Sequence, residues 1–256
     1  MLKSEFVYDE DKDTILLSDD KVFYTVEGEG VLTGAPSVFM RLSLCNLTCS
    51  AFKSPDSPLG CDSASSWMVK NKFTFKALYD QYFLDTGYIE NLKKGAILKL
   101  TGGEPLVQQK QLIKFIAYLV DRAGFIPAID FETNATIQPD ENWVTIFKAT
   151  FTTSPKLALN GDSEEARYKP EVLQWHTDHL SVFKFVVRSD EDVQEILTKY
   201  VNRFNIDNNS VFLMPCCGSR KELLEESPKV AELAKKYTFN FSSRLQLVIW
   251  DMSLKV

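Results

Sequence analysis

The chain has 256 residues, 45% of them hydrophobic and 25% charged, a composition typical of a globular protein and not of a disordered one. The formal net charge is −6 and no long run of lysine or arginine occurs, which argues against a nucleic-acid groove or a site for anionic membranes. The apolar runs are too short to span a bilayer, and residues 1–13 contain no signal-peptide core. We therefore expect a cytoplasmic protein, whose five cysteines are thiols or metal ligands.

Short β-rich runs alternate with helical patterns along the chain, which predicts parallel strands joined by crossover helices. The expected strands are residues 37–44, 96–100, 127–131, 150–153, 180–187 and 210–214. The expected helices are residues 75–83, 108–122, 142–147, 163–173, 190–200 and 221–237. Six such units are fewer than the eight of a complete barrel. We predict one α/β domain over residues 1–256, a shortened (β/α)6 barrel with its core at about 37–215, an N-terminal hairpin and a C-terminal extension. A last apolar run, Leu245–Trp250, predicts an edge strand.

Three cysteines follow the first predicted barrel strand: Cys45, Cys49 and Cys61, with the spacing Cys-x3-Cys-x11-Cys. Thiolates suit zinc and iron–sulfur clusters, and no histidine lies nearby to complete a closed zinc site. Three thiolates on a cubane leave one iron open for another ligand. The alternative is three structural thiols, because free cysteine packs well as a small apolar side chain.

Residues 50–60, between the last two of these cysteines, are rich in Ser and Pro and end in Gly, which predicts a loop inserted into the metal-binding segment. Cys216 and Cys217 are a different case. Adjacent side chains point in divergent directions, so we interpret this pair as structural.

The second predicted barrel strand ends abruptly at Thr101, Gly102, Gly103 and Glu104, followed by Pro105. Two glycines allow the backbone to approach a ligand closely. The carboxyl ends of barrel strands are where active sites are built, although a plain turn is the alternative interpretation.

The cysteine triad and the Gly-Gly-Glu-Pro segment together resemble the radical S-adenosylmethionine (SAM) superfamily. The resemblance implies a TIM-like barrel and a [4Fe–4S] cluster on Cys45, Cys49 and Cys61, with SAM on the fourth iron. The Gly-Gly-Glu backbone would receive the methionine amino group. Cleavage of SAM would give a 5′-deoxyadenosyl radical that abstracts a hydrogen atom from the substrate, which is cofactor chemistry that the protein positions and shields.

Further segments are similar to 7-carboxy-7-deazaguanine synthases and keep their order over about residues 22–250. They are YTVEGEG at 24–30, VFMRL at 38–42, CNLTC at 45–49, CDS at 61–63, FETN at 131–134, SPK at 154–156, FKFVV at 183–187 and FLMP at 212–215. That family converts 6-carboxy-5,6,7,8-tetrahydropterin to 7-carboxy-7-deazaguanine with loss of ammonia. The resemblance also implies Mg²⁺, a flavodoxin-like reductant, a homodimer, and a place in queuosine or modified-DNA biosynthesis.

The resemblance assigns roles to residues of this chain. Arg41 would pair with the substrate carboxylate, a task suited to a guanidinium, and Ser63 would hold Mg²⁺ with support from Asp62. The loop containing Glu27, Gly28 and Glu29 would meet the amino-pyrimidinone edge of the substrate. The residues expected to hold SAM are Thr101, Gly102, Gly103, Glu104, Glu132, Ser154 and Lys156. Helix caps, solvated turns and ordinary ion pairs are the alternatives for all of these side chains, and Lys184 is a weaker candidate because strand lysines often extend to solvent.

The chain departs from the family pattern at three places. The second cysteine gap is x11 where x2 is usual, Ser63 stands in place of a Thr, and Val248 stands where members often have a His two residues after the Gln. Loop length costs closure entropy only slowly, so the longer gap is compatible with a cluster. These differences suggest a divergent branch, for which a virus-encoded enzyme in the host cytoplasm is one origin.

Two other classes of function remain open from the sequence. A glycyl-radical activating enzyme would share the cysteine and glycine motifs but act on a protein. A metal-binding module without chemistry would hold zinc or a cluster. The Glu27–Gly30 segment and Arg41 favour a small carboxylated substrate over a protein substrate, and assays of iron, sulfide and SAM cleavage would separate an enzyme from a binding module.

Overall fold

The computed structural model describes residues 2–52 and 60–251, apart from the Asp20 side chain. Residues 53–59, most of the predicted loop at 50–60, lie outside the described part. The strands are β1 (Thr14–Val26), β2 (Pro36–Leu42), β3 (Asn71–Thr74), β4 (Ile97–Gly102), β5 (Ile129–Thr133), β6 (Thr150–Thr153), β7 (Val182–Val187), β8 (Val211–Pro215) and β9 (Asn240–Phe241). They form one sheet in the order β3-β1-β2-β4-β5-β6-β7-β8-β9.

Helices connect these strands. They are α1 (Ala64–Trp67), α2 (Phe75–Tyr79), α3 (Tyr88–Lys93), α4 (Gln109–Ala123), α5 (Asn142–Thr145), α6 (Glu164–Arg167), α7 (Pro170–Asp178), α8 (Asp190–Ile196), α9 (Asn202–Phe204), α10 (Arg220–Tyr237) and α11 (Leu245–Trp250). Single turns of 3₁₀ helix lie at Leu2–Ser4, Gly30–Leu32, Pro105–Gln108, Ala158–Asn160 and Asn208–Ser210, and π-helical turns continue α2 and α8 at Asp80–Leu84 and Leu197–Val201.

The sheet has the predicted topology. Strands β2, β4, β5, β6, β7 and β8 pair in parallel, which confirms the six predicted units. Strands β1 and β2 pair antiparallel around the loop that carries Glu27 and Glu29, which confirms the N-terminal hairpin. The fold is a partial (β/α)6 TIM-like barrel, extended on one side by the hairpin and on the other by β9.

Two predicted elements are wrong. The single helix expected at residues 163–173 is two helices, because Lys169 precedes Pro170 and takes an extended conformation that a helix does not allow. The edge strand expected at Leu245–Trp250 is helix α11. The edge beside β8 is already occupied by β9, and the helical turn instead buries Leu247 against Cys217 and Leu223.

The two faces of the parallel strands differ in chemistry. One face carries apolar side chains such as Leu98, Leu100 and Phe131, which pack into the main core under α4. On the opposite face, alternate residues are polar, and Lys99 and Asp130 bond each other across neighbouring strands. Because side chains alternate along a strand, this pattern lines the inside of the partial barrel with charge.

None of the helices in the described ranges combines the length and hydropathy that crossing a membrane would require.

Candidate functional site

The glycine–acid turn after β4 packs directly on the start of the cysteine loop. The amide of Gly103 donates to Leu42 O at 3.2 Å, and that of Glu104 donates to Leu44 O at 2.9 Å. A Cβ on Gly103 would lie 2.8 Å from Cys45 Cβ and would overlap the Leu44 carbonyl. Gly102 has a φ of +139° and is equally close to Leu42. The glycine pair thus lets two predicted cofactor segments meet.

The Glu104 carboxylate is engaged inside the fold. It accepts hydrogen bonds from Leu106 N at 3.1 Å, Thr133 Oγ1 at 2.9 Å and Asn134 N at 2.7 Å, and it is fully buried. Burial raises the pKa of Glu104 to about 7, against the effect of these donors. The side chain therefore ties the end of β4 to the end of β5, which leaves the backbone of this turn as the group available to a ligand.

The long cysteine loop is closed by a backbone contact. Phe52 N donates to Gly60 O at 2.9 Å, so the two sides of the x11 insertion come together beyond Cys49 and before Cys61. A Cβ on Gly60 would lie 2.7 Å from Ser50 Cα, and the φ of Gly60 is +79°. The two ends of the insertion are therefore close together, so the number of inserted residues does not determine the distance between Cys49 and Cys61.

The three cysteines form one electrostatic neighbourhood. Burial raises the pKa of Cys45 to about 11 and that of Cys49 to about 12, and the charge of Lys156 opposes both shifts. Cys61 contributes to raising both pKa values, so all three thiols lie within range of one another. Half-buried thiols of this kind need a cationic partner to become thiolates, which iron would provide.

The preference for an iron–sulfur cluster over zinc rests on the donor types, since the three thiols have no histidine nearby in the sequence. Over residues 2–52 and 60–251, no group of three or more Cys, His, Asp or Glu side chains is arranged to hold a metal ion. Of the second cysteine pair, Cys216 contacts the cysteine loop, with its Sγ 3.5 Å from Ala51 O, and Cys217 is buried.

Ser154 and Lys156 follow β6 at the same end of the barrel. Lys156 Nζ donates to Ser154 Oγ at 3.1 Å, and Ser154 N donates to Thr133 O at 2.7 Å. The buried Arg167 holds this segment by donating to Lys156 O at 2.9 Å. Because Lys156 also lowers the pKa of Glu104 electrostatically, the predicted SAM residues of β4 and β6 lie within one neighbourhood.

Two buried lysines tie the inner face of the barrel to the hairpin loop. Lys99 Nζ lies 2.9 Å from Glu27 Oε2 and 2.6 Å from Asp130 Oδ2. Lys184 Nζ pairs with Glu29 Oε2 and, at 2.6 Å, with Glu132 Oε1. Strand β7 is four positions from β2 in the sheet, about 19 Å if the sheet were flat, so this pairing requires a curved sheet and a loop that folds across its opening.

The two predicted substrate acids have different surroundings. Glu27 is 3% exposed, and its Oε1 accepts from Gly28 N at 2.9 Å and from Glu29 N at 3.1 Å. Burial raises the pKa of Glu27, partly offset by Lys99. Its carboxylate therefore shapes the loop from within.

Glu29 is held by three donors from distant parts of the chain. Oε1 accepts from Arg244 Nε at 2.9 Å and from Gln246 Nε2 at 2.7 Å, and Oε2 accepts from Lys184. Burial opposes ionisation, but the charges of Lys184 and Arg244 outweigh it, so the pKa of Glu29 lies well below its ordinary value. A carboxylate offers about four acceptor positions, so one position remains for a ligand N–H.

The structure places Arg41 on β2 and Ser63 directly before α1. Arg41 stands beside Thr101 in the β2–β4 register. Ser63 precedes α1 without capping it, and its Oγ is 3.5 Å from Cys61 Sγ. Asp62, which lies between Cys61 and Ser63 in the sequence, accepts a hydrogen bond from Arg244 Nη2 at 2.7 Å.

Sequence reasoning missed three charged members of the site: Lys99, Asp130 and Arg244. The first two had a readable signal. Strands covered on both faces normally read as continuous apolar runs, so a lysine within ILKLTG and an aspartate within IDFET mark a polar inner face. Arg244 carried no such signal, because its partners lie on distant segments.

No family model matches the sequence. The chain is 29% identical to the 7-carboxy-7-deazaguanine synthase of Hyperthermus butylicus over 236 residues, covering 90% of this chain and 91% of that protein. It is 27% identical to the enzyme of the same name from Pyrobaculum aerophilum, covering 90% and 93%. The crystal structure of QueE from Escherichia coli has the same fold, with a TM-score of 0.59 and 20% identity over 93% of this chain and 97% of that one. With the motifs in the same order from the hairpin to β8, the chain is similar to 7-carboxy-7-deazaguanine synthases over about nine tenths of its length.

Proposed function

We propose that this protein is a 7-carboxy-7-deazaguanine synthase, a radical SAM enzyme that contracts the ring of 6-carboxy-5,6,7,8-tetrahydropterin with loss of ammonia. The observation that carries the proposal is the meeting of two regions at one end of the barrel. The cysteine loop packs on the Gly102–Gly103 turn, and Glu29 of the hairpin loop is joined through Arg244 to Asp62, the neighbour of Cys61. This combination suits a cofactor site next to a site for a small polar substrate, and it does not favour a glycyl-radical activating enzyme.

The cofactor residues have separate tasks. Cys45, Cys49 and Cys61 would hold the [4Fe–4S] cluster, which when bound supplies the electron that cleaves SAM. The backbone of the turn from Thr101 to Glu104 would accept the methionine amino group, because the Glu104 side chain is already committed.

Three further side chains would bind the rest of SAM. Ser154 and Lys156 offer a hydroxyl and an ammonium group for the SAM carboxylate, and they already contact each other at 3.1 Å. Glu132 would accept from the ribose hydroxyls. Its carboxylate is fixed by Lys184 and remains partly exposed.

The substrate would be held by opposite charges. Arg41 would pair with the carboxylate of the pterin, a bidentate task suited to guanidinium. Glu29 would use its remaining acceptor position for an N–H of the amino-pyrimidinone edge, while Glu27 and Gly28 fix the loop. Ser63 would ligate Mg²⁺, which prefers oxygen ligands and keeps several waters.

The assembly and setting of the enzyme follow from the same proposal. We expect a flavodoxin-like reductant, a homodimer, and a cytoplasmic location where thiols and clusters stay reduced. The product would serve as the 7-deazaguanine core of queuosine or of modified DNA.

The decisive experiment is an anaerobic assay of the reconstituted protein with SAM, Mg²⁺, a reductant and 6-carboxytetrahydropterin, read by mass spectrometry. We expect 7-carboxy-7-deazaguanine. Release of 5′-deoxyadenosine without that product would keep radical SAM chemistry and overturn the substrate. Absence of both products from protein with a full cluster would overturn the proposal as a whole.

Replacement of Arg41 tests the substrate geometry. Arg41→Ala should raise the KM for the pterin by about 10- to 100-fold, because a charged hydrogen-bonding pair is lost, and leave the cluster absorbance unchanged. Arg122→Ala, on the exposed side of α4, is the matched control. An unchanged KM for the Arg41 variant would remove Arg41 from the substrate site.

A further inference from the structure

Residues 242–246, here termed the C-terminal clasp, close over the hairpin loop. Gly30 N donates to Ser242 Oγ at 2.8 Å, and Leu245 N donates to Gly28 O at 2.9 Å. Arg244 and Gln246 both donate to Glu29 Oε1. The loop predicted to meet the substrate is therefore held by a segment more than 200 residues away, and the contacts include both backbone and side chains.

Arg244 is the member of the clasp that reaches beyond the loop. It is 8% exposed, and its guanidinium lies 5.5 Å from the ring centroid of Phe52. Nε donates to Glu29 at 2.9 Å, Nη2 donates to Asp62 Oδ2 at 2.7 Å, and Nη1 donates to Cys217 O. A planar guanidinium with donors in fixed directions sets the separation of the groups it bonds.

The two acids that Arg244 joins belong to different parts of the site. Glu29 faces the proposed pterin position, whereas Asp62 lies between Cys61, a proposed cluster ligand, and Ser63, a proposed Mg²⁺ ligand. The hairpin loop and the segment after the cysteine loop are far apart in the sequence, and Arg244 bonds to both of them.

Gln246 explains why the loop carries Gly28. A Cβ on Gly28 would lie 2.8 Å from Gln246 Cδ and overlap its amide oxygen. The glutamine side chain therefore occupies the space beside Gly28 and delivers its amide to Glu29. In a strand, the side chains of Gln246 and Val248 would point to the same side. Because α11 is a helix, they point to different sides, and Val248 is 47% exposed and lies outside the clasp.

We infer that Arg244 is a positioning residue that fixes Glu29 for substrate recognition and couples it to Asp62 beside the cluster and magnesium ligands. The substrate-contact part of this inference rests on the proposed function. The coupling of the two segments does not, because it concerns contacts within this chain. Arg244 would thus bind Glu29 from the clasp, whereas Val248, at the position where members often have a His, has an apolar side chain that cannot form a hydrogen bond.

The control is another arginine, which lies on α10 and bonds the C-terminal helix α11. Arg220 anchors α11 from α10, with Nε donating to Leu247 O at 3.1 Å and Nη2 donating to Ile249 O at 3.3 Å. It contacts neither acid through these bonds. Arg220→Gln therefore loosens α11 without breaking the bridge, which separates loss of coupling from loss of the helix.

Hydrogen exchange of the cluster-reconstituted protein tests the coupling without reference to activity. Arg244→Gln should speed exchange in both residues 27–30 and residues 61–64, and Arg220→Gln should speed neither. Arg244→Lys keeps the charge but not the planar guanidinium that bonds both acids, so it should speed exchange in one of the two segments more than in the other. This variant replaces Arg244→Gln in the experiment if the glutamine variant does not fold. Unchanged exchange in residues 61–64 in both Arg244 variants would overturn the coupling.

Kinetics test the positioning role. Arg244→Gln should raise the KM values for the pterin and for Mg²⁺ by about 10- to 100-fold, as outer residues that orient ligands do, and raise the 5′-deoxyadenosine released per product. Asp62→Asn should reproduce the Mg²⁺ effect, and the double variant should be no worse than the Arg244 variant alone. Independent, multiplying effects would overturn the bridge. If the wild type makes no deazaguanine, the proposed function fails, while hydrogen exchange still decides the coupling.

Discussion

The two halves of the site are held together by different forces. The cysteine half joins the loop at Leu42–Cys45 to the Gly102–Gly103 turn through backbone hydrogen bonds and direct backbone packing. The acid half joins the hairpin loop to β4, β5, β7 and the clasp through buried ion pairs. The first depends on the absence of side chains, and the second depends on the presence of charged ones.

This difference teaches where each half tolerates change. Backbone contacts carry no titratable group, so their geometry is indifferent to salt and nearly so to pH. Buried ion pairs gain little net stability over apolar packing, but removing one partner leaves a charge uncompensated. The cysteine half should therefore fail through added volume, and the acid half through lost charge.

The largest effect should come from a cysteine ligand. Cys61→Ala should abolish the [4Fe–4S] signal in electron paramagnetic resonance and all cleavage of SAM, because two thiolates do not retain a cubane. Cys217→Ser, at a buried thiol that bonds Pro215 O, should keep both. A full cluster signal in the Cys61 variant would remove that residue from the ligand set.

A lost charge in the acid half should destabilise the fold next most strongly. Lys184→Met should lower the free energy of unfolding by about 3–5 kcal/mol, because Glu29 and Glu132 lose their shared cation in a buried site. Lys12→Met, which breaks an exposed pair with Asp9, should leave the free energy of unfolding almost unchanged. Chemical denaturation of the cluster-free proteins measures both, and equal costs would contradict the distinction between the two halves.

Added volume in the cysteine half should cost about 1–3 kcal/mol. Gly103→Ala introduces a Cβ against the Leu44 carbonyl and Cys45, and both would have to shift. Gly218→Ala is the matched control, since its nearest atom would be Glu222 Oε2 at 3.7 Å. The same denaturation measurement applies, together with iron content after reconstitution. Full iron and unchanged stability in the Gly103 variant would show that the close approach is dispensable.

The smallest effects should be opposite pH dependences in the two halves. Glu104 has a folded pKa raised by burial from 4.5 to about 7, so its favourable contribution is present below pH 4.5 and lost as the pH rises through 7. Glu29 has a folded pKa lowered by Lys184 and Arg244 in spite of burial, so its contribution is present above pH 4.5 and lost as the pH falls below it.

Urea midpoints of the cluster-free protein across pH test this contrast. Glu104→Gln should flatten the stability curve between pH 4.5 and 7, and Glu29→Gln should flatten it below pH 4.5. Flattening in the same range by both variants would mean that one of the two pKa directions is wrong.

The fold was largely predictable because its signals are local. Short β-rich runs separated by helical patterns predicted the six parallel strands to within a few residues. The errors fell where longer-range facts decide. Pro170 splits a helix that periodicity alone made continuous, and the apolar run Leu245–Trp250 becomes a helix because β9 already covers the edge of the sheet.

The site was predictable only where a motif states it. The residue types and spacing of the cysteine and glycine segments predicted a cofactor site, and the structure brings the two segments into contact. The role of Arg244 depends on Glu29, 215 residues earlier, and on Asp62, 182 residues earlier, and no local pattern records such partners. No sequence pattern predicted that the Glu104 carboxylate accepts hydrogen bonds from Thr133 and Asn134.

The hydrogen bond between Phe52 and Gly60 has an evolutionary consequence. A segment whose two ends are joined can lengthen or shorten without moving what lies outside the junction, so the residues between are free to diverge between lineages. A sequence signature that counts a fixed number of positions from Cys49 to the next ligand would pass over this protein. A signature that allows a variable stretch closed by a glycine immediately before Cys61 would include it.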